Sequence, residues 1–229
     1  MIPKLIHQTA KSKTLTWEEA RLQQRARAIM PEWEFRLWDD ADNRLLVAQT
    51  IPHLLKSYDN INRGVAKADI ARCLYMYVHG GYYIDTDYKV LSSFNDFISP
   101  ICVLPISRGS EELEFRLGNA VFGSSPLHPF WLAFVESVLV RDLGNIAEAE
   151  IEKVTGPEGL TDFYMSNSQK FDGITLVPRS TFHPEIVFGG VGIKRSPDTI
   201  GAHLCWGSWR TKSTLKNIKA LVARKITAI

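Results

Sequence analysis

Apolar and polar positions alternate in two rhythms along this chain, one of period two and one of period 3.6, and the rhythms take turns from end to end. Strand patterns fall at Ile2–His7, Glu34–Trp38, Ile101–Pro105, Asn119–Gly123, Ile174–Pro178 and Ile200–Trp206. Helical spacing covers Trp17–Ile29, Gly64–Val78 and Pro129–Val140; Asp40 caps a short helix, and Pro52 opens another near His53–Leu55. From Gly64 to Val78 the apolar residues Ala66, Ile70 and Tyr77 recur along one face, and Gly80-Gly81 ends the element. No Gly/Ser/Pro-rich linker, internal repeat or low-complexity tract interrupts the alternation. The pattern predicts an α/β fold in a single domain over residues 1–229, closed by a basic helix at about 212–226.

The segment Gly80-Gly81-Tyr82-Tyr83-Ile84-Asp85-Thr86-Asp87-Tyr88-Lys89 carries the sharpest chemical signal. An aromatic, β-branched run reads as a strand delivering Asp85 and Asp87 to its end, with both side chains on one face because strand residues two apart share a face. Two carboxylates held that close repel each other, so both staying ionised at neutral pH argues for a cation beside them. Hard divalent ions with oxygen ligands fit, and holding a diphosphate is their obvious use, which makes a sugar nucleotide a natural ligand.

Two further features bear on that cation. Asp69 and Arg72 interrupt the apolar helix one turn apart. They read either as an ion pair on a solvated face or as a polar face bordering the acid pair, where Asp69 accepts from sugar hydroxyls and Arg72 orients it or reaches a phosphate. His203-Leu204-Cys205-Trp206-Gly207-Ser208-Trp209 brings an imidazole, two indoles and a serine together. A lone histidine is usually core or surface packing, but a neutral imidazole also suits a manganese-type ion.

Composition excludes several classes. With 27 basic against 25 acidic residues and a net charge of +2, the chain has no field of the kind that non-specific nucleic-acid binding needs. The three cysteines, Cys73, Cys102 and Cys205, lack metal-ligand spacing and read as buried thiols in a reducing compartment. No stretch reaches the roughly 18 apolar residues of a spanning helix. The opening residues do not read as a signal peptide, so the expectation is a cytoplasmic protein. Lys212, Lys216, Lys219, Arg224 and Lys225 beside Leu215, Ile218 and Leu221 leave open peripheral attachment to an anionic inner membrane face, or a core-covering helix with a solvated basic face.

Taken together, these stretches resemble the DXD-containing sugar transferases of glycosyltransferase family 32, which include yeast outer-chain α-mannosyltransferases and bacterial capsule and lipopolysaccharide enzymes. The resemblance runs through Ile2–Gln8, Trp33–Trp38, Ala66–Arg72, Gly80–Asp87, the Asn119 segment, Thr155-Gly156-Pro157 and His203–Trp209. It implies a GT-A fold, a Rossmann-like mixed sheet flanked by helices with the nucleotide at the carboxyl ends of the strands. It also implies metal-dependent transfer, with retention of anomeric configuration, of a hexose or N-acetylhexosamine from a sugar nucleotide to a glycan or lipid-linked acceptor. Carried over, Asp85 touches ribose or donor sugar and supports Mn2+ or Mg2+, Asp87 binds the metal, and His203 is the late metal or diphosphate contact. Asp69 and Arg72 hold the donor sugar, Thr86 and Asn119 touch the donor, Ser208 and Trp209 close over the phosphates, and His7, Gln8 and Thr9 lie near the base. UDP-sugars are favoured over GDP-sugars. Ala68 and Thr9 depart from the family's usual serine and tryptophan, which weakens any claim on base or sugar.

Asp40-Ala41-Asp42 has the same spacing as the acid pair, but it precedes a helix, where acids cap free amides. Gly156 and Gly159 lack the lysine-serine ending of a phosphate loop and read as a loop and helix start on the acceptor side. Glu111, Glu112 and Glu114 read as a solvated run, and His128-Pro129 and His183-Pro184 as turn punctuation. Two other classes remain. A phosphohydrolase with an Asp85 nucleophile would want Thr or Val where Lys89 stands, and a non-catalytic sugar-nucleotide or carbohydrate binding module would not need Asp69, Arg72, Asp85, Asp87 and His203 all intact.

Overall fold

A computed structural model describes residues 1–187 and 192–207. Its elements run β1 (Leu5–Thr9), α1 (Trp17–Ile29), β2 (Glu34–Trp38), α2 (Asp40–Thr50), α3 (Leu55–Asn60), α4 (Gly64–Val78), β3 (Gly81–Ile84), β4 (Tyr88–Val90), β5 (Cys102–Arg108), β6 (Arg116–Leu117), β7 (Val121–Ser124) and α5 (Pro129–Leu139). There follow α6 (Ile151–Val154), α7 (Pro157–Asn167), β8 (Ile174–Val177), α8 (Arg179–Phe182), β9 (Ile186–Val187), β10 (Gly192–Ile193) and β11 (Gly201–His203). The expected basic helix, and with it Ser208 and Trp209, lies outside the described residues.

One mixed sheet organises these elements in the order β2-β1-β3-β7-β5-β6, with β8 against β5. β1 runs parallel to β2 and β3, while β7 runs antiparallel to β3 and β5. Parallel strands need long crossovers, here α1 between the neighbours β1 and β2 and the helices α2 to α4 between β2 and β3, which flank β1. Because helices and loops cover both faces, all four residues of β3 are buried. Strand alternation then sends Tyr83 into a cluster with Ile70, Leu74, Trp131 and Phe134, while Tyr82 and Ile84 enter another with Ile6, Met30, Phe94 and Phe182.

Local chemistry sets the boundaries. Thr16 and Glu19 form a reciprocal capping box at α1. The cap of α2 is Asp39 and not Asp40: Asp39 accepts from the Asp42 amide and Asp42 from the Asp39 amide. Between α4 and β3 the chain reverses through Gly80 and Gly81 at φ +64° and +90°, and a Cβ on Gly81 would collide with the Leu5 carbonyl. β1 begins at Leu5 and not at Ile2, whose amide donates instead to Ile98. No described helix is long and apolar enough to cross a membrane.

Two features of this architecture place the site. The parallel strands β1 and β3 end at the same edge, presenting Thr9 and Asp85 side by side. The ribbon of β4 and β11, in which His203 faces Tyr88, returns the far end of the chain to the turn after β3.

Candidate active site

Asp85 and Asp87 meet in a turn and not along a strand. β3 stops at Ile84, the Asp85 amide donates to Ala120 O at 2.9 Å, and the Tyr88 amide returns to Asp85 O at 3.0 Å. The shared strand face expected from the sequence is therefore replaced by a tight reversal between β3 and β4. Tyr83 Oη donates to Asp85 Oδ1 at 2.6 Å, and the Trp206 amide donates to Asp87 Oδ2 at 2.8 Å. His203 Nε2 lies 3.1 Å from Asp87 Oδ1 and 3.6 Å from Asp85 Oδ2. One ligand atom from each of Asp85, Asp87 and His203 lies within 4.8 Å of the others.

The electrostatics of this cluster are divided. Burial raises the Asp85 carboxyl above its ordinary value against the opposing pull of Arg72 and His203. Burial works on Asp87 in the same direction, but His203 and the Trp206 amide outweigh it and hold that carboxyl low. The His203 imidazole is disfavoured as a cation by burial, yet Asp87 lifts it well above its ordinary value. Two carboxylate oxygens and an imidazole nitrogen at this separation suit a manganese- or magnesium-type ion, whose charge would let both acids ionise and displace the imidazole proton.

Asp69 and Arg72 are not on a solvated face, since they are 3% and 6% exposed. Arg72 lies 3.3 Å from Asp69 Oδ1 and 3.3 Å from Asp85 Oδ1, donates to Asn119 O at 2.8 Å, and sits over the Tyr83 ring at 4.5 Å. It therefore joins the helix acid to the turn acid. Asp69 takes Asn119 Nδ2 at 3.1 Å on one oxygen and Thr155 Oγ1 at 2.8 Å on the other. Burial, opposed by Arg72, pushes its carboxyl up to about 6. Its second oxygen keeps one lone pair for a ligand.

These groups line a cavity of about 1680 Å3, together with Thr9, Thr86 and Asn119. His7 and Gln8 do not line it. His7 is fully buried, its Nε2 meets Gly80 O at 2.9 Å, and its Nδ1 accepts from the Trp38 indole at 3.0 Å. With burial holding it neutral, its pKa lowered to about 3, this imidazole ties β1 to β2 and the glycine turn and cannot read a base. Gln8 is also internal: it donates to Asp85 O at 3.4 Å and accepts from Gln23 at 2.8 Å, supporting the acid turn from behind.

Sequence reasoning missed several residues of the wall. Thr155, noticed only in its Thr-Gly-Pro run, holds Asp69. Glu19 accepts from Thr86 Oγ1 at 2.8 Å while serving the α1 capping box. His183, expected only to punctuate a turn, lines the cavity with its ring 6.3 Å from that of His203. Cys205, expected to be buried like Cys73 and Cys102, is exposed, with Sγ 3.4 Å from His203 Nδ1. A Leu-Cys-Trp context suggests burial; in the structure Cys205 sits at a positive φ of 54° with its thiol exposed.

The central mixed sheet flanked by helices, with acids gathered at the carboxyl edge of β3, defines a GT-A glycosyltransferase fold. Among solved structures, the PaToxG glycosyltransferase superposes with a TM-score of 0.58 at 15% identity, covering 75% of this chain and 72% of that one. The glycosyltransferase domain of the YGT toxin gives a TM-score of 0.57 at 8% identity, covering 97% and 86%. Residues 17–103 match the model of the glycosyltransferase sugar-binding region containing the DXD motif. An inositol phosphoceramide mannosyltransferase of Schizosaccharomyces pombe is 30% identical over 139 residues, 60% of this chain and 37% of that protein. A mannosyl phosphorylinositol ceramide synthase of Saccharomyces cerevisiae is 30% identical over 141 residues, 60% and 35%. The match thus spans little more than a third of these yeast proteins. An uncharacterised glycosyltransferase of Acanthamoeba polyphaga mimivirus is 25% identical over 218 residues, 91% of this chain and 84% of that one.

Proposed function

We propose that this chain is a divalent-metal-dependent, retaining glycosyltransferase that moves a hexose from a sugar nucleotide to a glycan or lipid-linked acceptor. The observation that carries this reading is the convergence of Asp85, Asp87 and His203, from a turn and a distant strand, in one cavity with the Asp69–Arg72 pair. When bound there, Mn2+ or Mg2+ would supply Lewis-acid neutralisation of a diphosphate. The nucleotide would extend toward the β1 edge, where Thr9 lines the cavity.

The chain's own residues do the rest. Asp69, with one lone pair free and its other positions fixed by Asn119, Thr155 and Arg72, orients a sugar hydroxyl. Arg72 places positive charge beside the reacting centre while holding Asp85. The glycosidic C1–O bond to phosphate breaks, the acceptor oxygen bonds to C1 on the same face, and the acceptor proton passes to the departing phosphate oxygen. This proton path needs no protein base. The mannosyl transfer named for the yeast relatives supports mannose within the hexose class, and their phosphoinositol lipids support a lipid-linked acceptor.

A screen of UDP- and GDP-sugars for manganese-dependent turnover, with thermal stabilisation as a second readout, tests the reading. Turnover of one donor that disappears in Asp87→Ala is the expected result. Metal-independent turnover, or metal-dependent cleavage of simple aryl phosphates without sugar transfer, overturns it.

A further inference from the structure

The sheet order arranges the cavity from end to end. Thr9 stands at the β1 edge, the acid turn follows β3, and β5 and β6 lie beyond β7 on the other side. Neighbouring strands are about 4.8 Å apart, so β5 and β6 stand on the order of 10–15 Å from the acid turn, beyond the reach of a diphosphate anchored there.

Three arginines line that far end: Arg108 on β5, Arg116 on β6 and Arg179 at the start of α8. Arg108 and Arg116 are register partners across the antiparallel pair, beside an irregularity between Ile106 and Arg108. Like charges directly opposite on a ladder are destabilising, so the pairing calls for a counter-charge. Protein acids answer it in part. Glu152 and Glu158 approach Arg116 at 3.5 and 3.8 Å, whereas its Nε is buried without a hydrogen-bond partner. Among the described residues, Arg108 and Arg179 make no ion pair, and Arg179 uses only Nε, donated to His183 O at 3.2 Å. Glu185, which also lines this end, is engaged by Lys194 at 3.5 Å. His183 lies between these arginines and the acid turn; burial first, then His203, Arg179 and Arg116, lower its pKa to about 3, so it stays neutral.

We infer that Arg108, Arg116 and Arg179 form a second anion subsite, distinct from the diphosphate position, which takes the phosphate ester of the acceptor. Guanidinium forks match phosphate oxygens, and a phosphate there would relieve the cross-strand repulsion and give the free donors partners. That the phosphate belongs to the acceptor rests on the transferase reading; that the subsite binds phosphate does not.

The test is calorimetric titration of the full chain, saturated with Mn2+ and whichever of UDP and GDP it binds more tightly, with glycerol 3-phosphate against glycerol. A parallel arm floats the chain with phosphatidylcholine vesicles with and without phosphatidylinositol. The comparison is with the double variant Arg108→Ala, Arg179→Ala. Binding of the phosphate but not of glycerol, weakened at least about tenfold in the double variant, is expected, since each lost guanidinium removes a charge-assisted hydrogen bond. Retention only on phosphatidylinositol vesicles, lost in the double variant, also upholds the subsite and assigns its phosphate to a lipid headgroup. Unchanged affinity in the double variant, binding that requires the nucleotide position to be empty, or no binding of either phosphate probe overturns it. Should the alanine variant melt early, the pair Arg108→Gln, Arg179→Gln carries the same comparison. If neither UDP nor GDP binds with Mn2+ while arginine-dependent phosphate binding persists, the transferase reading falls and the subsite stands.

Discussion

Two Asp-x-Asp runs in this chain share a spacing and part company in use. In Asp40-Ala41-Asp42, Asp42 Oδ2 accepts the Asp39 amide at 3.2 Å and also meets the Lys13 ammonium, while Asp39 returns the favour to the Asp42 amide at 3.0 Å. Burial would raise the Asp42 carboxyl, but Lys13 and the Asp39 amide hold it low. That run is spent on starting a helix. In Asp85-Thr86-Asp87, one oxygen of each acid is fixed by Tyr83 and Trp206, and the other pair faces His203 across a cavity. Spacing is silent on the difference. What separates the runs is which part of the chain returns to them: a helix amide for one, and a strand from the far end for the other.

The widest gap between the runs should appear in activity. Asp87→Ala is expected to lower manganese-dependent sugar transfer by a factor on the order of 10^3 or more, because on the proposed mechanism it removes one of the three groups that would hold the ion. Asp42→Ala, measured in the same initial-rate assay, should stay within about twofold of the parent, as surface and capping changes act on stability. Chelation by EDTA should abolish transfer in the parent, and added Mn2+ should restore it. Equal losses in the two variants would erase the distinction drawn here.

Much of the frame was legible from local pattern. α1, β2 and α4 fall where the periodicity placed them: Leu22 and Ala26 of α1 and Ala66, Ile70 and Cys73 of α4 are buried at helical spacing, while β2, only half-buried, keeps the bounds its alternating composition gave it. Asp69 and Arg72 were noticed for breaking an apolar helix, and their burial follows from lying on the face of α4 turned toward the site. What escaped depends on contacts distant in sequence. The turn that brings Asp85 beside Asp87 looks like a continuing strand, because Thr86 and Tyr88 keep the β-type composition going. His183 acquires its place through α8 and His203 through the β4–β11 ribbon, neither of which leaves a local signal. His7 failed in the opposite sense: a histidine at a strand end looks like a ligand, and only the Trp38 and Gly80 contacts show it to be internal.

The acids of the site should also leave a mark on stability against pH. Asp69 is buried and its carboxyl is raised to about 6, so between its unfolded value near 3.8 and about 6 the folded chain holds a proton that the unfolded chain has released. The slope of unfolding free energy with pH is then negative for this group: its contribution is full below about pH 4 and lost as pH rises through 6. The loss is on the order of 2–3 kcal/mol, and Asp69→Asn should flatten that part of the curve in denaturant melts. A rise in stability attributable to Asp69 across that window would contradict the assignment. Of similar size or smaller, Thr155→Ala should cost roughly 1.5–3 kcal/mol by removing the hydroxyl that Asp69 Oδ2 accepts, a buried bond to an acid. It should also lower kcat for sugar transfer, since Asp69 would lose one of the contacts that aim it.

The smallest effect belongs to the helix-capping run and closes the comparison from its other side. Asp39→Ala removes the carboxylate that the Asp42 amide donates to, and leaves the first turn of α2 with a free N–H close to water. Caps of this kind are worth about 1 kcal/mol, so urea midpoints should fall modestly while the manganese affinity of the chain, read by paramagnetic relaxation of water, stays that of the parent. Asp39→Asn, which keeps an accepting oxygen at the same place, should recover most of the lost stability. A change in manganese affinity with Asp39→Ala would mean that the two acidic runs communicate, and that the α2 start has a share in the site that its hydrogen bonds do not reveal.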